Sequence, residues 1–269
     1  MTLDPIETRL RVVTWNVWWR YGPWERRRSA IEASLTPLGA DVIALQEAWA
    51  DGDDTQAAEL ARILGYRHAY QACEHEDGLA TGNAVLSRWP IRATDWRPLP
   101  GERESGERRC VLFASVDGPN GDIPVFVSHL NWRRAHSHIR QRQITEIARF
   151  VASKSSQGFP PIVCGDFNAE PTSEEIRMMT GQAAVPIAGL VFRDAWADGG
   201  DGGAGYTWDN ANSFTQPNLQ PDRRIDYIFV GQSGARGAGE VVGCRLAGNE
   251  VVDGVWPSDH FALMAELRY

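Results

Sequence analysis

The chain has 269 residues, is 43% hydrophobic and carries a formal net charge of -8, which describes a globular protein large enough for one big core. The negative balance argues against a broad basic surface for gripping duplex nucleic acid through its phosphates, but leaves room for a local basic patch or a bound cation. Residues 1–9 are polar and lack the apolar stretch of a leader, and no run reaches the length of a membrane span, so the expectation is a cytoplasmic protein without a stable membrane anchor and with no protein partner implied. The four cysteines, Cys73, Cys110, Cys164 and Cys244, form no C-x-x-C pair and are read as reduced thiols.

In chain order, residues 10–15 read as a strand with Asn16 at its end. Residues 23–38 read as a helix with apolar Ile31 and Leu35 and a basic face of Arg26, Arg27 and Arg28. Residues 41–46 form an apolar strand that delivers Glu47, and a helix follows over 55–64. Segments 66–71, 83–87, 91–97, 109–116 and 123–129 have strand length and are punctuated by Gly, Pro, Asp or Asn. The 119–122 turn closes a hairpin. Residues 138–153 read as a helix with Ile144, Ile147, Ala148 and Val151 on one face. The strand 162–164 leads to Asp166, and a helix opens near 171–175, with Thr172 and Glu175 spaced as a capping box. The last strands are 224–230, 240–246 and 261–267. The Gly-rich stretch 199–205 lacks the Lys-Ser/Thr of a P-loop and reads as a connection. No linker divides the chain. The pattern is one domain, 1–269, of the α/β (α+β) class: two mixed sheets packed face to face with helices outside, a four-layer αββα sandwich.

Polar residues at the ends of these apolar runs carry the chemistry. Glu47 ends a buried strand, where a carboxylate can hold a hard cation or simply begin a loop. Asn16 can orient such a carboxylate or cap a turn. His129 ends the 125–128 run and suits either a donor to a phosphoryl oxygen or a structural imidazole. Asp166 and Asn168 alternate across Phe167, so both can face one side as a base and a group holding its water, or as an Asx turn. Asp226 interrupts an apolar strand and needs a partner: His260 is one, Arg223 or Arg224 the alternative. Asp259 and His260 lie side by side before the last apolar run. Trp15, Trp18, Trp19, Trp24, Trp132 and Trp256 lie near these positions, as do Arg20, Arg26, Arg27, Arg133 and Arg134. Trp15 alternates into the core. The other indoles suit stacking on a base, a lipid headgroup or an aromatic leaving group, or packing.

In order along the chain, Thr14-Trp15-Asn16-Val17, Leu45-Gln46-Glu47, Gly82-Asn83-Ala84-Val85-Leu86-Ser87, Ser128-His129-Leu130, Gly165-Asp166-Phe167-Asn168, Arg224-Ile225-Asp226-Tyr227-Ile228 and Ser258-Asp259-His260 resemble the endonuclease/exonuclease/phosphatase superfamily. The resemblance implies a phosphoester hydrolase that uses Mg²⁺, or Mn²⁺, held chiefly by Glu47 with Asn16 and Asp259 nearby. It implies that Asp166, positioned with Asn168, activates water, that Asp226 orients His260 against the phosphate, and that His129 stabilises negative charge on the transferring group. Trp18 stands where some nucleases of the family carry an acid. His129 resembles the sphingomyelinase and deoxyribonuclease members more than the apurinic endonucleases. The expected substrate is a phosphodiester, nucleic acid favoured, with a lipid or small phosphoester as the alternative and a non-catalytic binding module as the outsider.

Overall fold

The computed structural model describes residues 6–76, 78–101, 107–154 and 158–269; residues 1–5 of the polar amino-terminal stretch lie outside this set. The first half runs β1 (Arg9–Asn16), α1 (Trp24–Leu35), β2 (Val42–Asp51), β3 (Asp54–Thr55), α2 (Gln56–Leu64), β4 (Arg67–Glu76) and β5 (Leu79–Ser87). It continues with β6 (Ile91–Leu99), β7 (Arg109–Gly118), β8 (Gly121–His129), α3 (Ser137–Lys154), β9 (Ile162–Asp166) and α4 (Glu174–Thr180). The chain ends with β10 (Phe192–Asp194), α5 (Ala195–Gly199), β11 (Asp226–Gly231), β12 (Val241–Ala247) and β13 (Ala262–Arg268). One sheet has the order β12-β13-β1-β2-β5-β4, with β3 beside β2; the other has the order β10-β11-β9-β8-β7-β6.

Alternation along the strands builds the layers. Leu10 and Val12 of β1 point between the sheets, where they meet Val125 and Val127 of β8 and Ile228 and Val230 of β11. Val13 and Trp15 point the other way, onto Ile31 and Leu35 of α1 and Leu60 of α2. Phe126 of β8 and Val163 of β9 point outward onto Ile144, Ile147 and Val151 of α3 and Ile176 of α4. Three apolar layers thus separate four layers of secondary structure, the expected αββα sandwich.

Four local expectations are corrected. Cys73 and Cys110 are not reduced thiols: they form a disulfide with Cα atoms 5.6 Å apart, joining β4 to β7 across the sandwich, while Cys164 and Cys244 are free and buried. A chain that holds this cross-link gives no sign of a reducing compartment. Arg27 is not on a basic face but buried, at 1% exposure. The capping box is not made: Ser173 is the N-cap and provides no side-chain cap, because Glu175 is drawn to Arg140 (2.5 Å) and Ser137 (2.7 Å). The strand carrying Glu47 does not stop there but runs on to Asp51.

Candidate active site

Register places the polar residues side by side. In the second sheet, β8 and β9 are parallel with His129 opposite Asp166, and β9 and β11 are antiparallel with Asp166 opposite Asp226. His129, Asp166 and Asp226 therefore stand in one row on three adjacent strands. In the first sheet, β1 and β2 are parallel with Asn16 opposite Gln46, and Glu47 comes next. The β2–β5 register shifts between Leu45 and Ala48, and Glu47 adopts φ 53° at that irregularity. A bulge of this kind re-aims a side chain away from strict alternation, and here it turns the carboxylate toward the second sheet. Gly165 (φ 146°) lets β9 lie this close to β8: a Cβ built there would sit 1.8 Å from the Ser128 carbonyl oxygen.

The two rows meet. Asn16 Nδ2 donates to Glu47 Oε1 and to Asp166 Oδ2, both at 3.1 Å, and its Oδ1 accepts from Trp18 N–H. Asp166 Oδ1 accepts from the Asn168 amide at 2.9 Å, with Asn168 at φ 50° while Phe167 fills the core. This Asx-type turn delivers Asn168 to His129, Nδ2 to Nε2 3.0 Å. His260 Nδ1 lies 2.9 Å from Asp226 Oδ2, so His260 is the partner of Asp226; Arg224 pairs instead with Asp194 at 2.7 Å. All eight expected residues, Asn16, Glu47, His129, Asp166, Asn168, Asp226, Asp259 and His260, converge, and six of them together with Trp18, Trp19, Tyr21, Trp132 and Trp208 line a cleft of about 400 Å³. Its walls are Glu47, His129, Asp166, Asn168, Asp259 and His260 on the polar side, with Asn16 and Asp226 behind them in the bonds just given.

The surroundings fix these groups. Trp15 Nε1 donates to the His260 carbonyl (2.9 Å), Ser258 Oγ to the Asn16 carbonyl (2.7 Å), and Asn212 Nδ2 to the Ser258 carbonyl (2.7 Å). Thr207 Oγ1 accepts from the Asp226 amide. Arg27 donates to the carbonyls of Val17, Trp18, Trp19, Tyr21 and Pro257, so one guanidinium ties the loop after β1 to the segment bearing Asp259.

Electrostatics divide the ionisable groups. Burial pushes Asp166 up to about 7, aided by Asp226 and opposed by His260. Burial also raises Asp259 to about 7. For His260 burial disfavours the charged ring, but Asp226, Asp166 and Asp259 outweigh it and push it to about 10. His129 is held well below the usual imidazole range by burial and by the Arg109 and His260 charges. Arg109, paired with Glu107 through Nη2, places Nη1 3.0 Å from His129 Nδ1, while Asn168 Nδ2 and Asp166 Oδ2 lie 3.0 and 3.3 Å from Nε2; a donor faces each ring nitrogen, and the neutral ring can accept from one of them.

The residues fit a hard divalent cation. Glu47 and Asp259 both face the cleft, and carboxylate oxygens suit a hard cation such as Mg²⁺ or Mn²⁺. Asp166, Asp226 and His260 also bring ligand atoms within 4.8 Å of one another. A ring driven to its cationic form by three carboxylates is a poor ligand, so the oxygen-only set around Glu47 is the better one.

Of the expected aromatic and basic rim, Trp18, Trp19 and Trp132 line the cleft. Trp24 lies in α1 against Trp49, and Trp256 packs on Phe261. Arg20 pairs with Asp51 and Arg26 bonds the Asp253 carbonyl. The arginines that do line the cleft are Arg109 and Arg223, joined by Trp208 with its ring edge-on to His260 at 5.1 Å. Sequence reasoning named Arg223 only as an alternative partner for Asp226, and singled out neither Arg109 nor Trp208 for the site. The only signals were the arginine opening the strand 109–116 and the arginine pair just before Asp226.

A model of the Endonuclease/Exonuclease/phosphatase family matches residues 13–260, first residue to last of the constellation. The chain belongs to the endonuclease/exonuclease/phosphatase family. It is 28% identical over 204 residues to an inositol phosphosphingolipids phospholipase C of Schizosaccharomyces pombe, covering 70% of this chain and 46% of that protein. It is 29% identical over 204 residues to the 2',5'-phosphodiesterase 12 of Homo sapiens, covering 65% of this chain and 32% of that protein. The chain thus matches less than half the length of either relative. Among solved structures, D. rerio TDP2 complexed with single-strand DNA product superposes with a TM-score of 0.79 at 21% identity, covering 98% of this chain and 100% of that one. An endonuclease/exonuclease/phosphatase from Beutenbergia cavernae superposes at 0.71 with 28% identity, covering 97% and 71%. These likenesses agree with the two-sheet sandwich of the family. Among the described residues, no helix is long and apolar enough to cross a membrane.

Proposed function

We propose that this member of the family hydrolyses a phosphodiester with the help of Mg²⁺, and that a nucleic-acid strand is its favoured substrate. One observation carries the reading: the row His129–Asp166–Asp226 of one sheet meets Asn16 and Glu47 of the other, with Asp226 bonded to His260. A binding protein has no use for buried carboxylates raised toward neutrality. A diester hydrolase needs both a base near pH 7 and fixed positive charge.

A bound cation supplies Lewis-acid stabilisation of the phosphoryl oxygens and of the departing alkoxide. Glu47 and Asp259 are the residues that would hold it, with Asn16 orienting Glu47 through its NH₂. Asp166 takes the proton from the attacking water. Asn168, held by the Asp166 carboxylate and anchored to the Leu130 carbonyl, positions that water. His260, kept cationic by Asp226, faces the phosphate as a charged donor. His129, neutral and lining the cleft, stabilises negative charge on the transferring group from the opposite strand.

The aromatic walls favour a nucleic-acid strand, since indoles accept any base. A lipid headgroup diester is the second reading, favoured by the similarity to a phospholipase C acting, by its name, on inositol phosphosphingolipids. The test is a panel of single-stranded oligonucleotide, duplex, inositol phosphosphingolipid and bis(p-nitrophenyl) phosphate, each with Mg²⁺ and with chelator. Mg²⁺-dependent cleavage that drops at least about 10²-fold in Asp166→Ala supports the proposal. Binding of these compounds without turnover in Mg²⁺ or Mn²⁺ contradicts it.

A further inference from the structure

Buried arginines are expensive unless matched, and among the described residues those around the cleft are matched apart from Arg223. Arg27 donates to five carbonyls, Arg140 meets Glu175, Arg224 meets Asp194, and Arg109 meets Glu107. Arg223 is 6% exposed and lines the cleft beside Ile225 and Gln220. Its side chain makes one hydrogen bond, Nη2 to Gln220 Oε1 at 2.6 Å. Its Nε is buried with no partner, and among the described residues no carboxylate lies within ion-pair distance.

The backbone holds it rigidly. Arg223 and Trp208 form an isolated antiparallel bridge, with amide bonds of 2.8 and 3.0 Å in the two directions. The guanidinium carbon sits 5.8 Å from the Trp208 ring centre, and the same ring meets His260 edge-on with centres 5.1 Å apart. Trp208 thus contacts both groups, and the guanidinium lies within about 11 Å of the His260 ring, in the same cleft as the groups assigned to the cleaved phosphate. A planar fork with unspent donors, presented from a wall, is the group suited to a phosphate.

We propose that Arg223, framed by Gln220 and Trp208, is an anion subsite that takes a second phosphate of the substrate, neighbouring the one that is cleaved. This deepens the phosphodiesterase reading and rests on it: the substrate class narrows to diesters that bear a further phosphate close by. That chemistry is shared by a polynucleotide strand and by a phosphorylated inositol headgroup.

The experiment measures binding in Mg²⁺ by calorimetry in an Asp166→Asn background, which blocks turnover. The probes are thymidylyl-thymidine alone and with a 5' or 3' phosphate, and a glycerophosphoinositol with and without a ring phosphate. The readout is the affinity ratio between each phosphorylated compound and its parent. We expect a ratio of at least about 10 with Arg223 in place, the scale of a charge-assisted contact. It falls toward 1 in Arg223→Gln and recovers in part in Arg223→Lys. The series that shows the ratio names the source of the phosphate. A ratio unchanged by Arg223→Gln overturns the subsite, as does an equal loss for parent and phosphorylated compound, which would make Arg223 a structural prop or a contact of the cleaved phosphate. Absence of turnover of every compound by the unsubstituted chain counts against the phosphodiesterase reading alone, because the binding ratio still reports on Arg223.

Discussion

Asp166 shows how one side chain links the stability of this chain to its proposed chemistry. Burial raises it to about 7, and Asp259 likewise; unfolded, both titrate near 3.8. Between those values the folded chain holds protons that the unfolded chain has released, so folding stability falls as pH rises from about 4 to 7. His260 adds to this: raised to about 10, it contributes stability that is whole below 6.5 and is lost as pH climbs through 10. In chelator, the melting temperature should therefore drop from pH 5.5 to pH 8.5. Asp166→Asn should melt at least about 2–4 °C above the unsubstituted chain at pH 8, the shift of about 1 kcal/mol for a domain of this size, while losing activity. Identical melting of the two at pH 8 would show that the carboxylate carries no such strain. Arg27 acts through structure instead. Arg27→Met strands five carbonyls and should cost about 2–4 kcal/mol in a urea titration. The tie made by Arg27 was not legible beforehand, because it finds its acceptors in two loops that only the tertiary fold brings together, and a triplet of arginines on a helix reads as a solvated face.

Among the elements, strands were the readable part. Period-two patterns such as Val12-Val13-Thr14-Trp15 and Val125-Phe126-Val127 carry both faces of a sheet, and both faces are buried here. Strand ends also marked Asn16, Glu47, His129 and Asp166, because a polar residue closing an apolar run is visible in one dimension. The short elements β3, β10 and α5 were not visible, being too brief for any periodicity, and neither was the bulge that swings Glu47 around. The disulfide was equally hidden, since Cys73 and Cys110 are 37 residues apart and meet only when one sheet lies on the other. Reducing it should lower stability by about 2–4 kcal/mol, the usual value of a cross-link; a melt with and without reductant decides, and an unchanged midpoint would show that the link is not formed in solution. Gly165 offers a sharper probe of strand packing. Gly165→Ala places a methyl against the Ser128 carbonyl and should leave little folded protein, whereas Gly121→Ala, with open space around its Cβ, bears only the cost of its positive φ.

For the whole molecule, the account reduces to convergence. The net charge of -8 does not gather on one side of the chemistry: the cleft joins carboxylates to Arg109, Arg223 and a cationic His260, so an acidic protein presents local positive charge to the anionic diester proposed as its substrate. The family pattern gave the constellation its order along the chain, and the sandwich gave it a place, where the ends of β1, β8 and β9 meet the start of β11 and the bulge within β2. What no pattern supplied was the wall opposite, Trp208 with Arg223, because its residues come from an irregular stretch with no repeating period. The central claim is that residues of the two sheets act as one centre. A double-mutant cycle on Mg²⁺-dependent cleavage tests it most directly. Glu47→Ala and Asp166→Ala should each slow cleavage at least about 10²-fold, and the double variant should be scarcely slower than the slower single one, as for groups acting as a unit. Losses that multiply in the double variant would mean that the two sheets work independently, and would contradict the account.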